Sequence, residues 1–221
     1  RGKRREVLEE QLAAARDAGR LEALAAQWQT SRDVLELSVA ARALTELGRL
    51  AEARDTLARW VAAAPSDLDA RRALADSLET AGALTAALRQ RQAIAGLAPT
   101  SRPDELKLID AMIGAGRSVE ALNRVQAATR TASPDELPAL LERMEALGHP
   151  ERATALLGTL AQQHPQVPEY WMELGERLWS SGSSQEALAA WAHVAPEDSR
   201  DPKAHTELAR LLLEHGQRED G

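Results

Sequence analysis

The feature that most constrains this chain of 221 residues is a glycine that recurs at nearly constant spacing. The distances between successive glycines of the series are 34, 34, 32, 34 and 34 residues. A period of this length is typical of repeat architectures, in which each repeat is one supersecondary unit that packs on its neighbours. The series consists of Gly48, Gly82, Gly116, Gly148, Gly182 and Gly216.

Each glycine lies in a local pattern that predicts a helical hairpin. A glycine after the first helix allows the left-handed backbone of a reversal. An alanine five residues later lets the second helix approach the first closely, and a proline or serine near the end of the repeat stops that second helix. The alanines are Ala53, Ala87, Ala121, Ala153 and Ala187.

Composition agrees with helices and excludes several other classes of protein. Aromatic residues make up 3% of the chain, and there is no Phe and no Cys. This argues against β-sandwiches, disulfide scaffolds and thiolate metal sites. The net charge of −7 argues against nucleic acid as a partner, because counterion displacement needs a basic surface. No apolar run is long enough for a membrane span.

The glycine series divides the chain into an atypical helix pair, five repeats and a half repeat. Within residues 1–33, helices are expected near Glu6–Asp17 and Arg20–Gln29, around Gly19. The third repeat is two residues short, which we assign to the loop at 130–133. The predicted repeats 1 to 5 are 34–67, 68–101, 102–133, 134–167 and 168–201, and the half repeat with a frayed end is 202–221.

Four local expectations follow from short motifs. Residues 133–136 (Ser-Pro-Asp-Glu) predict a capping box with proline at the first helical position. The cluster Arg1–Arg5 predicts a charged, frayed terminus, and with neither Met nor an apolar segment there we expect a piece of a longer protein. The five histidines are expected at the surface or at helix ends. No catalytic, phosphate-binding or metal-binding motif is present, so we expect no enzyme, no cofactor and no metal.

The fifth repeat carries a family resemblance. Trp171, Leu174, Gly175 and Leu178, followed by Gly182, Ala187 and Trp191, resemble the tetratricopeptide repeat (TPR) in nearly full form. The other repeats keep the glycine and the alanine. The resemblance covers about residues 34 to 216 and implies an all-α fold: a right-handed superhelical solenoid of antiparallel helix pairs.

The same resemblance implies a concave groove lined by the first helix of each repeat, at positions 2, 5, 9, 12 and 13. In repeats 2 to 5 these positions hold nine carboxylates and one arginine, Arg72. A groove with one sign of charge attracts the opposite sign. Met172 and Trp179 would add an apolar anchor. The predicted groove residues are Asp69, Asp76, Glu79, Asp110, Asp135, Glu142, Glu145, Glu169, Met172, Glu176 and Trp179.

These observations predict a non-catalytic scaffold for protein–protein interaction with a cationic partner. The Ala-, Leu- and Arg-rich repeats are similar to the periplasmic TPR region of Pel-type bacterial exopolysaccharide export porins. That similarity implies a role in biofilm exopolysaccharide secretion across the outer membrane, a polymer-modifying enzyme as partner, and the periplasm of a Gram-negative bacterium.

Two alternatives remain open at this point. The chain could be a regulatory or assembly module of a larger cytoplasmic bacterial protein. It could instead bind a cationic polysaccharide directly, which predicts aromatic side chains spaced along the groove, where only Trp179 qualifies.

Overall fold

The computed structural model describes residues 2–196 and 201–216, and all regular secondary structure in these ranges is α-helical. The chain forms two compact bodies, an N-terminal body (residues 1–117) and a C-terminal body (residues 118–221). The N-terminal body contains α1 (Gly2–Asp17), α2 (Leu21–Trp28), α3 (Val34–Glu46), α4 (Leu50–Ala63), α5 (Leu68–Thr80), α6 (Leu84–Leu97) and α7 (Arg102–Gly114). The C-terminal body contains α8 (Ser118–Thr129), α9 (Leu137–Ala146), α10 (Pro150–Gln163), α11 (Pro168–Ser180), α12 (Ser184–Ala192) and α13 (Pro202–Gly216).

The hairpin turns are built on glycines with positive φ. At Gly48 φ is 72°, and the N–H of Arg49 donates to the carbonyl of Leu44, which closes the end of α3. An L-residue would be strained there, so the glycine is required. Gly216 differs from the rest of the predicted series, because it is the last residue of α13 and lacks a positive φ. The other positive values are found at Gly19, Gly82, Gly116, Gly148 and Gly182.

The alanines of the repeat pattern lie in the helix contacts within each hairpin. All five are at most 1% exposed, so a side chain without a Cγ lets the two helices of a hairpin pack at short distance. Larger apolar residues fill the remaining space, and Leu44, Ile94, Leu140 and Trp191 are among the side chains that are fully buried. The predicted close approach of paired helices is confirmed.

The helix α9 begins later than the sequence predicted. The carbonyl of Ser133 accepts hydrogen bonds from the N–H groups of Glu136 and Leu137, and a carboxylate oxygen of Glu136 accepts from the N–H of Ser133 at 3.0 Å. Residues 134–136 nevertheless form a turn, and the helix starts at Leu137. Pro138 has no N–H to donate to the carbonyl of Pro134, so the turn does not continue as regular helix. The prediction of a helix start at residue 134 was wrong.

The N-terminal segment is more ordered than a frayed terminus. The helix α1 begins at Gly2, and Arg4 forms ion pairs with Asp33 at 3.0 Å and Glu36 at 3.1 Å. Arg1, the linker residues 197–200 and the end at 217–221 lie outside the described residues. The boundary between the two bodies falls between α7 and α8, inside predicted repeat 3.

Candidate functional site

In the N-terminal body, predicted groove positions of two repeats line one cavity of about 650 Å³. All five groove positions of repeat 1 contribute to it, together with three from repeat 2. They are Leu35, Ser38, Arg42, Thr45, Glu46, Asp69, Asp76 and Thr80. Because these residues come from α3 and α5, the first helices of two successive repeats share a concave wall.

Two further helices contribute lining residues that sequence reasoning missed. Arg5 and Glu9 of α1 lie at one side, and Leu57 and Trp60 of α4 lie beneath. The helix α1 is outside the 34-residue period, so the repeat pattern carried no signal for it. Arg42 binds Glu9 at 2.5 Å, which holds α1 against α3 at this cavity. We call this space, with Leu35, Ala41, Leu57, Trp60 and Ala73 as its apolar lining, the apolar cavity.

Two of the predicted groove acids in repeat 2 are paired with one arginine on the second helix. Arg91 of α6 is 2% exposed and binds both Asp76 and Glu79, the latter at 2.9 Å. Burial opposes the charge of Arg91, but the hydrogen bonds to the two carboxylates outweigh it and raise its pKa. A buried, paired charge of this kind holds α5 against α6, so these two acids have a structural role.

Asp104 is a further acid that sequence reasoning missed. It is 5% exposed at the start of α7, and its two oxygens accept hydrogen bonds from Arg72 at 2.9 and 2.6 Å. The bonds to Arg72 lower the pKa of Asp104. Arg72 also lies 3.6 Å from the exposed Asp69. Arg72, the one groove arginine predicted in repeats 2 to 5, therefore joins repeats 2 and 3. Asp110 is exposed on α7 and lines neither cavity described here.

In the C-terminal body, α9, α11 and α13 enclose a second cavity of about 620 Å³. Asp135, Glu169, Met172 and Glu176 line it, as predicted for groove positions. We call it the acidic cavity, because five carboxylates and one guanidinium group line it. These charged residues are Asp135, Glu169, Glu173, Glu176, Glu214 and Arg210.

The one arginine of the acidic cavity is already bound by carboxylates. Arg210 contacts Glu207 at 3.1 Å through Nε and Glu214 at 2.7 Å through Nη1, and these bonds raise its pKa. By contrast, Asp135 and Glu169 are exposed and have no ion-pair partner within residues 2–196 and 201–216. The cavity therefore keeps uncompensated negative charge at these two positions.

Negative charge is also crowded at the wall of the acidic cavity. Burial, together with the nearby Glu176 and Glu142, raises the pKa of Glu173 above its ordinary value, although Arg177 lies 2.9 Å away. Burial in turn lowers the pKa of Arg177, which also binds Glu145. Glu142 and Glu145 thus act beside the cavity without lining it.

Trp179 is half-buried in an aromatic cluster. Its ring lies 5.6 Å from that of Trp191 and 5.0 Å from that of His215. Met172 packs on the same cluster and also reaches the acidic cavity. One part of the Trp179 ring therefore packs against Trp191 and His215, and its role as an apolar anchor stays a prediction.

His215 itself departs from the expectation for histidines. It is 7% exposed, stacks on Trp191 with ring centres 4.6 Å apart, and its Nε2 lies 2.9 Å from a carboxylate oxygen of Glu176. Its Nδ1 is buried and has no hydrogen-bond partner among the residues that the structure describes. His215 lies in the last turn of α13, as expected for a histidine near a helix end, but it is buried and not at the surface. Nothing in the sequence pattern indicated this burial, since the partner residues lie more than 20 positions away.

The described part of the chain offers neither a metal-binding cluster nor a membrane-spanning helix. Among residues 2–196 and 201–216, no group of three or more His, Asp or Glu side chains is placed to hold a metal ion. In the same ranges no helix combines the length and the apolar character that crossing a bilayer requires.

Comparison with known proteins gives structural matches only. No protein-family model and no curated protein matches the chain. The structure MamA AMB-1 aligns with a TM-score of 0.53 and 19% identity over 67% of this chain and 90% of that chain. MamA MSR-1 aligns with a TM-score of 0.52 and 19% identity over 80% and 98%. YrrB, described as a TPR protein with an unusual peptide-binding site, aligns with a TM-score of 0.48 and 12% identity over 74% and 86%.

At 19% identity the two MamA alignments, whose TM-scores exceed 0.5, establish the fold alone. Together with the helical hairpins of 34 residues and their glycine turns, they define the class of protein: an all-α TPR solenoid, as the sequence predicted.

Proposed function

We propose that this chain is a non-catalytic scaffold that binds a basic segment of a partner protein in the acidic cavity. The observation that carries the proposal is the charge of that cavity, where five carboxylates accompany a single arginine. A concave surface with an excess of one sign of charge concentrates its potential and favours a partner of the opposite sign.

The unpaired carboxylates give the most direct binding points. Asp135 lies in the turn before α9 and Glu169 in the first turn of α11, so both border the cavity from neighbouring helices. Neither has a partner among the described residues, so a lysine or arginine could bind them without displacing an existing ion pair.

The apolar part of the lining suits long basic side chains. Tyr170, Met172 and Leu211 line the cavity next to the carboxylates. Lysine and arginine place their methylene stems on apolar surface while the charged end reaches a polar group. The cavity thus offers both surfaces that such a side chain needs.

The test is a charge-neutralising pair in the cavity. Asp135→Asn combined with Glu169→Gln should weaken binding of a fluorescently labelled decalysine peptide by about tenfold, as expected for removal of two charge-assisted contacts. Fluorescence anisotropy at a series of salt concentrations measures the affinity, and the salt dependence should flatten with it.

A matched control is available on the second helices. Glu151→Gln with Glu186→Gln changes the net charge equally, and these exposed acids also lie in the first turns of helices, α10 and α12. The control variant should bind decalysine like the wild type. Equal affinity of all three proteins would refute the acidic cavity as the binding site.

The cellular setting belongs to the same proposal. We place the scaffold in envelope exopolysaccharide export, in the periplasm, with a polymer-modifying enzyme as partner, on the basis of the repeat composition and the acidic cavity. The gene that encodes these repeats tests this setting: a helix-turn-helix or catalytic domain beside them would favour a cytoplasmic regulatory module instead.

A competition experiment tests the other alternative. A cationic amino-sugar oligomer that outcompetes decalysine would favour the direct binding of polysaccharide.

A further inference from the structure

A three-sided site lies in the C-terminal body where α11, α12 and α13 meet. Glu176 and Trp179 are three residues apart on α11, so their side chains lie on one face of that helix. Trp191 of α12 supplies the third side, and its ring lies 5.6 Å from that of Trp179. A carboxylate beside two indole rings is a set of groups that binds organic cations.

The occupant of the three-sided site is His215 of α13. Its ring centre lies 4.6 Å from that of Trp191 and 5.0 Å from that of Trp179, and its Nε2 lies 2.9 Å from a carboxylate oxygen of Glu176. Its Nδ1 is buried without a hydrogen-bond partner among the described residues, which is unfavourable for a polar atom. That cost is recovered when the ring leaves, so the imidazole is an imperfect occupant.

The equivalent place in repeat 2 is filled by a permanent cation. There the guanidinium group of Arg91 binds two carboxylates of α5. The counterpart of Arg91 in repeat 5 is Trp191, so that guanidinium group is missing. In the described part of the chain, His215 is the one ion-pair partner of Glu176. The three-sided site therefore keeps a carboxylate that no guanidinium or ammonium group of this chain binds.

A cation can approach Glu176 from the open side. The side chain of Glu176 is 41% exposed and lines the acidic cavity. His215 lies in the last turn of α13, whereas Leu211, one turn earlier, is buried and packs on the aromatic cluster. Because helix ends unwind more easily than helix centres, opening of the last turn would release the imidazole and leave Leu211 in place.

We propose that Glu176, Trp179 and Trp191 bind the ammonium group of a lysine in the partner segment, and that His215 closes this site until the lysine displaces it. The inference rests on the proposed function, because it adds a specific cation site at the edge of the acidic cavity. His215 is then an autoinhibitory residue, since its imidazole and the ammonium group compete for the same carboxylate and the same rings.

The first test observes His215 in the wild-type protein by NMR. The ring current of an indole displaces the signals of imidazole protons stacked on it. At saturation with decalysine the His215 signals should move to the positions of an exposed imidazole. His193, which stacks on Trp171 at 4.1 Å, is the internal control, and its signals should stay. The variants His215→Gln and His193→Gln assign the signals. His215 signals that stay in place at saturation would overturn the inference.

The second test measures the competition as an affinity. His215→Ala should bind fluorescently labelled decalysine about two- to fivefold more tightly than the wild type, because an ammonium–indole contact forms without displacing the imidazole. The gain should disappear when Trp179→Leu is added. His205→Ala, at an exposed position of the same helix, is the matched control and should bind like the wild type. Unchanged or weaker binding by His215→Ala, or a gain that survives Trp179→Leu, would overturn the inference.

A small cation separates failure of this inference from failure of the proposed function. In His215→Gly, tetramethylammonium chloride should shift the indole N–H signals of Trp179 and Trp191 at lower concentrations than tert-butanol, a neutral molecule of similar size. Sodium chloride controls for ionic strength. Equal binding of both molecules would show an apolar hole alone and overturn the inference.

The two proposals therefore fail in different ways. Tetramethylammonium binding, together with a decalysine affinity that ignores Asp135→Asn with Glu169→Gln, would support the three-sided site and refute the acidic cavity. Decalysine binding that depends on Asp135 and Glu169 while the His215 signals stay in place would overturn the inference and leave the proposed function intact.

Discussion

At the scale of single residues, repeats 2 and 5 make the same helix contact with different chemistry. In repeat 2, Arg91 of the second helix binds Glu79 of the first at 2.9 Å. In repeat 5 the corresponding residues are Trp191 and Trp179, whose rings stack 5.6 Å apart. An ion pair and an aromatic pair therefore occupy equivalent positions, and each satisfies the contact within its own hairpin.

The tryptophan at residue 191 also explains why residue 175 is a glycine. Gly175 of α11 lies directly beneath Trp191, and a Cβ at residue 175 would overlap the indole ring. Repeat 2 has a fully buried Ala75 at the equivalent position, and Arg91 where repeat 5 has Trp191. The large ring of Trp191 fits at this contact because residue 175 has no side chain.

We therefore expect Gly175→Ala to destabilise the protein by about 2 kcal/mol, because overpacking under a fully buried ring outweighs the better helix propensity of alanine. Urea denaturation followed by circular dichroism measures the change. In a Trp191→Leu background the same substitution should cost little, since the space above residue 175 is then open. An equal cost in both backgrounds would contradict the packing explanation.

A hydrogen bond to the carbonyl of a proline is a second contact that repeats 2 and 5 make at equivalent positions. The indole nitrogen of Trp171 donates to the carbonyl of Pro165 at 3.3 Å, and Nε of Arg71 donates to the carbonyl of Pro65 at 2.6 Å. Arginine thus supplies the hydrogen bond where repeat 2 departs from the TPR pattern. Repeat 2 therefore keeps this polar contact although it has Arg71 where the TPR pattern has tryptophan.

At the scale of elements, the first helices of the repeats begin with unequal caps. Asp67 accepts hydrogen bonds from the N–H groups of Asp69 and Ala70 and from the indole nitrogen of Trp60 at 3.1 Å. The corresponding Val167 before α11 has no side-chain cap. One carboxylate therefore fixes the start of α5 and the orientation of a ring in the apolar cavity.

Replacement of Asp67 by alanine should lower the free energy of unfolding by about 1–2 kcal/mol, because two N–H groups of α5 and the indole lose their acceptor. Urea denaturation measures this loss. Asp55→Ala, at an exposed position of α4, is the control and should change stability by less than about 0.5 kcal/mol. A similar loss in both variants would argue against the cap.

The helices were largely predictable because the glycine and alanine period fixes each hairpin locally. The start of α9 was missed because Pro138 interrupts the bonding one turn into the predicted helix. Groove positions in repeat 1 were predicted well from the resemblance, since all five line one cavity. The ion pairs of Asp76 and Glu79 were not predicted, because they depend on Arg91, which the repeat pattern places on another helix.

At the scale of the whole molecule, the chain carries a net charge of −7, and part of that charge is concentrated around Glu173. Its pKa is raised, which means that the ionised form of this carboxylate is unfavourable in the folded protein. Lowering the pH through that pKa protonates the carboxylate and removes the unfavourable charge. A bound cation favours the ionised form, so binding is favoured above the pKa and weakened below it.

Decalysine should therefore bind more weakly as the pH is lowered from neutral through the raised pKa of Glu173. In the variant Glu173→Gln the decline should shift to lower pH, because the carboxylate with the raised pKa is gone. Anisotropy titrations at constant ionic strength measure both profiles. Superimposable profiles for the two proteins would show that Glu173 does not couple protons to cation binding.

The placement of indoles has a practical consequence. Of the five tryptophans, Trp171, Trp179 and Trp191 belong to the single hairpin of α11 and α12. Intrinsic fluorescence therefore reports mainly on this hairpin, whereas far-ultraviolet circular dichroism sums over all the helices. Melting curves recorded by the two methods on one sample would separate if the hairpin opened before its neighbours, which gives a label-free measure of how cooperatively the array unfolds.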